Sequence, residues 1–242
     1  MTAGRPDYDA SKVRRRLART GLAYAANALM FPFGFLPSRH VPRRKRDQRT
    51  LVFVHGFQAN RASLFPAQAW LRMSGHKRQL SYNYASTVSI ESMAIRLKRH
   101  LDAKVKGGRI DIVAHSMGGL VARVYLQMLG GHRRVDRLIT LGTPHHGTWA
   151  STYLPTRLVS QFHPDGPFIR RLNALPAPRD VKVHCLVGGQ DGIILPPTSA
   201  RSPWPARPGY AEAAETLVFD NLGHLDLALA PKALSAVAAR LA

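Results

Sequence analysis

Ser116 stands in the string Ala114-His115-Ser116-Met117-Gly118. Before it comes an apolar, β-branched run (Ile110, Ile112, Val113), and after it Leu120, Val121, Val124 and Met128 recur at helical spacing. A strand that turns at once into a helix, with a serine at the bend and a small residue two positions to either side (Ala114, Gly118), is a nucleophile elbow. The bend lifts the hydroxyl above the sheet edge and aims the first helical N–H groups at whatever the serine attacks. The first position holds Ala114 where glycine is usual, a tolerable extra methyl. Such a serine is built for acyl transfer, which also requires a base to take its proton and an acid to orient that base. Asp191 lies in Gly188-Gly189-Gln190-Asp191-Gly192, directly after the apolar run Val181–Val187. His224 lies in Asp220-Asn221-Leu222-Gly223-His224, directly after Thr216–Phe219. Taken singly, Asp191-Gly192 reads equally well as a turn and His224 as a capping or core histidine. Together, all three candidates fall at the carboxyl end of a predicted strand, where loops share one crevice. The competing acids are weaker: Asp226 is two residues from His224, Asp136 precedes its strand, and Asp220 is the remaining choice.

The elements that must carry these residues alternate. Leu51–His55 predicts a strand, 60–71 a short helix, Leu80–Tyr84 a strand, and Ser89–Lys104 a helix with Ser89 as its cap and Ile90, Met93, Leu97 and Leu101 on one face. Val135–Leu141 follows as a strand and a helix from Pro231 closes the chain. The predicted fold class is therefore α/β, a mainly parallel central sheet with helices on both faces. The stretch 149–180 lacks a strand signal, and its apolar residues fall in two helical clusters, 158, 159, 162 and 168, 169, 172. It reads as a cap or lid over about 148–180 whose apolar faces line an acyl pocket, or as a plain helical crossover between strands. His145-His146 invites a metal reading, but sequence neighbours point apart and no carboxylate or cysteine stands at ligand spacing. A polar loop on the rim of the site is the expectation for 142–148.

The chain has 242 residues, enough for one α/β domain with a sizeable core. Its single cysteine, Cys185, excludes an internal disulfide and reads as a core residue. The 35 Lys and Arg against 14 Asp and Glu give a net charge of +21, a field that draws anionic partners or, in the plainer reading, a solubilising surface. Residues 1–50 hold 12 of the basic residues and 3 of the acidic ones. Within them the apolar stretch 21–37 is flanked by Val13–Arg19 and by Arg39, Arg43, Arg44, Lys45 and Arg46. It is short for a transmembrane helix and is interrupted by Asn27, Pro32 and Gly34. No clean small-x-small cleavage site marks it as a signal peptide. The third reading is an interfacial or docking segment, a short helix over 22–30 and an aromatic loop, lying on a membrane or on the domain itself. The expected organisation is thus 1–50 as an N-terminal extension and 51–242 as the catalytic domain.

The motifs F-V-H-G-F at 53–57, V-A-H-S-M-G-G-L-V-A-R at 113–123, G-T-P-H-H-G-T at 142–148, Q-D-G at 190–192 and G-H at 223–224 resemble the α/β-hydrolase family of bacterial lipases and esterases, the triacylglycerol-lipase type. The A-x-S-x-G elbow resembles that of one group within it. The Ser, Asp, His order is that of this family. The resemblance covers 51–242 and implies carboxylic-ester hydrolysis by Ser116, His224 and Asp191, without an organic cofactor. It implies an oxyanion hole from the N–H groups of Phe57 and Met117, with His55, Gly56 and His115 around them. Trp149, Leu158, Phe162 and Phe168 are the expected acyl-pocket residues. Some relatives hold a structural calcium or zinc ion; no ligand set here carries over. Two other readings stand beside the esterase: another acyl transfer on the same site (phospholipid, thioester or amide cleavage), and a non-catalytic basic protein that binds membrane or nucleic acid. The expected partners are an apolar acyl ester and an anionic membrane surface met by the N-terminal segment, with no nucleic acid. The compartment stays open between cytoplasm, membrane surface and secretion.

Overall fold

The computed structural model describes residues 10–36, 49–153, 156–204 and 214–242; the basic residues at 39–46 lie outside the described residues. Six parallel strands form one sheet: β1 (Thr50–Val54), β2 (Gln79–Tyr82), β3 (Ile110–His115), β4 (Val135–Leu141), β5 (Lys182–Gly188) and β6 (Ala214–Phe219), in the spatial order β2-β1-β3-β4-β5-β6. Every neighbouring pair is parallel. Strands in such a sheet are covered on both faces, which is why β1 and β3 are buried along their whole length and read as continuous apolar runs. The order reverses between β1 and β3. Chain leaving β1 goes one way to β2, and the rest of the sheet is laid down on the other side, so a crevice opens at the carboxyl ends of these two strands.

Helices α2 (Phe65–Met73), α3 (Ile90–Lys104), α4 (Met117–Met128), α5 (Pro167–Ala174) and α6 (Pro231–Leu241) clothe the sheet. In α3 the predicted stripe is buried (Ile90, Met93, Leu97, Leu101), and Ser89 caps it by accepting from the Ser92 N–H. It packs with α4 on one face of the sheet in the larger core cluster. On the other face, Leu64 and Leu71 meet Leu234, Val237 and Leu241 of α6 over Leu51, Phe53 and Val113. The 60–71 expectation resolves into a 3₁₀ turn, Arg61–Leu64, followed by α2.

Two segments differ from the reading of the sequence. The N-terminal helix, α1 (Ala10–Met30), is 21 residues long and leads into a 3₁₀ turn over Phe31–Phe35. It starts well before the expected 22–30, running through Gly21, where nothing crowds the backbone. The crossover 142–181 between β4 and β5 turns its apolar residues into the core. Leu158, Phe162 and Phe168 of the expected acyl pocket, with Val159, Ile169 and Leu172, join the cluster formed by α3 and α4. Arg123 of α4 locks this packing. It is fully buried, and its guanidinium donates to Leu172 O (3.2 Å) and to Gln127 Oε1 (3.1 Å) under the ring of Trp204 (4.9 Å).

Because these side chains are core, Phe168→Ala and Leu172→Ala should each lower the unfolding free energy by about 2–5 kcal/mol. Urea titration of the two variants checks this; a loosely hinged lid would leave the midpoint unchanged.

Candidate active site

Ser116 sits between β3 and α4 at φ 54°, ψ −129°. A non-glycine residue held there costs about 1–3 kcal/mol and persists only where its surroundings overdetermine it. They do. The Ser116 N–H donates to Leu141 O (2.9 Å), and its carbonyl accepts from Thr143 Oγ1 (2.9 Å) and the Gly119 N–H (3.0 Å). The elbow is thereby tied to the end of β4. Gly118 completes it: a Cβ there would come within 2.4 Å of His55 O and 2.5 Å of Val54 O, so only glycine lets α4 start this close to β1. As the first residue of α4, Met117 has an N–H without an intrahelical acceptor.

Asp191 follows β5 and is almost wholly buried. Its Oδ1 accepts from the N–H groups of Ile193 and Ile194 (2.8 Å each), and its Oδ2 accepts from His224 Nδ1 (2.7 Å). Three donors fix the plane of the carboxylate, and the third fixes the imidazole. With Nδ1–H spent on Asp191, the lone pair of His224 is on Nε2. The turn presenting His224 is held by Asp226, whose Oδ2 accepts from the Gly223 N–H (2.8 Å). That is the task of the nearest competing acid. Asp136 is engaged far away by Arg49 (2.6 Å) and Arg109, and Asp220 is exposed.

Ser116 and His224 line one cavity of about 410 Å³, together with Gly56, Phe57, Gln58, His115 and Ile193. Part of its wall comes from ahead of the sheet: Tyr24, Asn27 and Ala28 of α1, and Phe31. The Tyr24 phenol is pushed up by burial and by the Asp191 carboxylate. No feature of the sequence short of the tertiary arrangement marks α1 as a wall of this cavity.

Of the other expected site residues, Gly56, Phe57 and His115 line the cavity and His55 lies just behind it. His55 Nδ1 donates to Gly56 O (2.9 Å) and Nε2 accepts the Tyr84 N–H (3.2 Å), while its ring stacks on Tyr84, 4.1 Å between centroids. Its work is to shape the loop after β1. Phe162 packs edge-on behind Phe57, 6.1 Å between centroids, and reaches the cavity only through it. Leu158 and Phe168 belong to the core, and Trp149 is exposed, edge-on to His163. The 142–148 loop is not wholly a rim. His145 is buried, with Nε2 at 3.0 Å from Thr140 Oγ1 and 3.5 Å from Cys185 Sγ, and only His146 faces out. Among the described residues no three His, Cys, Asp or Glu side chains gather as metal ligands.

This sheet, with its elbow between β3 and α4 at the switch point, defines an α/β-hydrolase fold. The fold is shared at low sequence identity with Aspergillus fumigatus lipase B (TM-score 0.67, 14% identity, 82% of this chain and 54% of that one) and with the mature Bacillus licheniformis lipase BlEst2 (0.59, 17%, 82% and 95%). It is shared as well with the Pyrococcus furiosus esterase Pf2001 (0.58, 17%, 81% and 83%). The chain thus spans about half the length of the Aspergillus lipase. The chain belongs to the family described as Domain of unknown function (DUF7379), which matches residues 33–162. No curated protein sequence matches it.

Burial pushes His55 down to about 4 and His115, beside His224, down to about 3. Both stay neutral in the fold, while the unfolded chain takes up their protons below about pH 6.5. Their contribution is complete above that pH and is lost as pH falls toward 4, by about 1.4 kcal/mol per unit for each ring. Asp111, raised to about 6 by its burial, works the other way and offsets one of them. Urea unfolding should therefore show stability falling from pH 7 to 5, with a shallower slope in His55→Gln.

Proposed function

We propose that this chain is a serine hydrolase of carboxylic esters, a lipase or carboxylesterase acting through a Ser116–His224–Asp191 triad and an acyl-enzyme. The observation that carries the reading is the 2.7 Å His224–Asp191 hydrogen bond, which leaves Nε2 basic on the wall of the same cavity as a serine at positive φ. His224 Nε2 takes the Ser116 proton as the oxygen attacks the ester carbonyl, and Asp191 stabilises the imidazolium. The oxyanion accepts from the N–H groups of Phe57 and Met117, an arrangement in which each donor is worth about 10²–10³ in rate. Collapse breaks the ester bond as His224 returns the proton to the departing alcohol. Water, deprotonated by the same imidazole, then releases the acid and restores the serine. The apolar walls (Phe57, Phe31, Ile193) suit an apolar acyl group, and lipases and an esterase among the fold neighbours support the same chemistry.

A serine-reactive fluorophosphonate should label Ser116, and peptide mapping should find the adduct there alone. On nitrophenyl esters, Ser116→Ala should lose at least about 10³-fold in kcat/KM and Asp191→Asn about 10³–10⁴-fold, with far-ultraviolet dichroism unchanged. An unlabelled serine and no turnover of any ester in a chain-length series would end the reading. Labelling with turnover only of thioesters, amides or phospholipids would keep the triad and move the substrate class.

A further inference from the structure

The N-terminal wall of the cavity has an inner and an outer face. At 100° per residue, Tyr24, Asn27 and Ala28 share the side of α1 that lines the cavity, and Leu22 and Leu29 lie on roughly the opposite side. Leu22 is 71% exposed and Leu29 74%. The turn that follows continues the surface, with Phe33 49%, Phe35 68% and Leu36 58% exposed. Solitary exposed apolar residues are ordinary, but five within 15 positions, on the outer side of a cavity wall, mark a surface made for something else.

That surface is fixed at one end and light at the other. Asn60 Nδ2 donates to Phe31 O (2.7 Å), Arg61 Nε to Gly34 O (3.0 Å), Arg61 Nη2 to Leu36 O, and Asn83 Nδ2 to Gly34 O (3.3 Å). A Cβ on Gly34 would sit 2.1 Å from Asn60 Oδ1, so this clamp needs glycine. Within α1 itself, among the residues whose side chains are described, Ala23 alone is buried. The charge pattern names the occupant. No charged residue lies between Arg19 and Arg39, and both flanks are strongly basic, six Lys or Arg in 1–19 and five in 39–46. An apolar strip between cationic flanks matches the interface of an anionic bilayer, where each Lys or Arg near the surface contributes about 1 kcal/mol. A second copy of the chain would bring the same cationic flanks together and repel. Among the described residues no helix is long and apolar enough to cross a membrane.

We propose that α1 and the 31–36 turn form a lipid-docking lid: Leu22, Leu29, Phe33, Phe35 and Leu36 seat on an anionic bilayer and set the mouth of the catalytic cavity against it. The docking surface stands on its own observations; that it feeds an ester-cleaving site rests on the function proposed above. The lid takes its substrate from the lipid phase, so esters presented in anionic vesicles are favoured over dissolved ones.

The full chain should co-sediment with vesicles of phosphatidylcholine and phosphatidylglycerol in equal parts, at least tenfold more tightly than with pure phosphatidylcholine, and high salt should release it. Replacing Leu22, Leu29, Phe33 and Phe35 together by Ser should weaken that binding at least tenfold. Fluorophosphonate labelling and turnover of a dissolved short-chain ester should be unchanged in this variant, while turnover of the same ester class in vesicles falls tenfold. Should it not fold, Leu29→Cys carrying an environment-sensitive dye reports instead, since the other cysteine, Cys185, is buried; its emission should shift to the blue on anionic vesicles only. Equal sedimentation with both lipids, an unmoved dye, or a dimer in light scattering that the Ser variant dissolves would each overturn the docking lid. Vesicle binding without labelling would instead refute the triad and leave the docking surface standing.

Discussion

Thr143 holds the carbonyl of Ser116 from one side while Leu141 takes its amide proton from another, so the strained turn belongs to β4 as much as to β3. Left alone, a serine at φ 54° relaxes toward the ordinary helical or extended regions, and its hydroxyl sinks toward the sheet. The parallel register of β3 on β4 pairs His115 with Leu141, which brings the end of β4 to the amide that needs it. Everything at the cavity is measured from that point: α4 starts there, its glycine rests on β1, and the β1 loop meets the serine from the opposite side.

Around the elbow, the polar groups are arranged so that each has one main task. Asp191 orients His224, Asp226 holds the turn beneath it, and His55 braces the loop after β1 through Gly56 and Tyr84. None of the three is interchangeable with its neighbours, because each is placed by a different strand end. Buried imidazoles at 55 and 115 remain neutral for want of solvent, so neither sets a cation beside the serine.

The sheet was legible because its strands are short apolar runs ended by glycine or polar turns, and the three triad candidates because each stands immediately after such a run. The Ser89 cap and the 90–101 stripe likewise carry their own local signal. What was not legible depends on contacts distant in sequence. The apolar clusters at 158–162 and 168–172 have the same period whether they line a pocket or fill a core, and only the buried partners on α3 and α4 decide for core. His145 sits in a polar string yet occupies a hole between Thr140 and Cys185, two strands that the string itself does not mention. Most of all, the 21–37 stretch reads along the chain as a segment lying on a membrane or on the domain, without saying which; its place as a wall comes from where Phe31 and Gly34 are clamped.

Arg123 ties the distant half of the molecule together in another way. A guanidinium taken out of water is tolerable only when its donors are met, and burial without a carboxylate beside it brings this one down to about 9. The groups around it come from four separate stretches: Gln127 on its own helix, the His145 carbonyl, the Leu172 carbonyl and the face of Trp204. Any of these arriving without the others leaves a bare cation in a dry place. The arrangement penalises half-built intermediates and makes the assembly of that side of the sheet cooperative, the last segment to arrive being the one that finally closes the charge off from solvent.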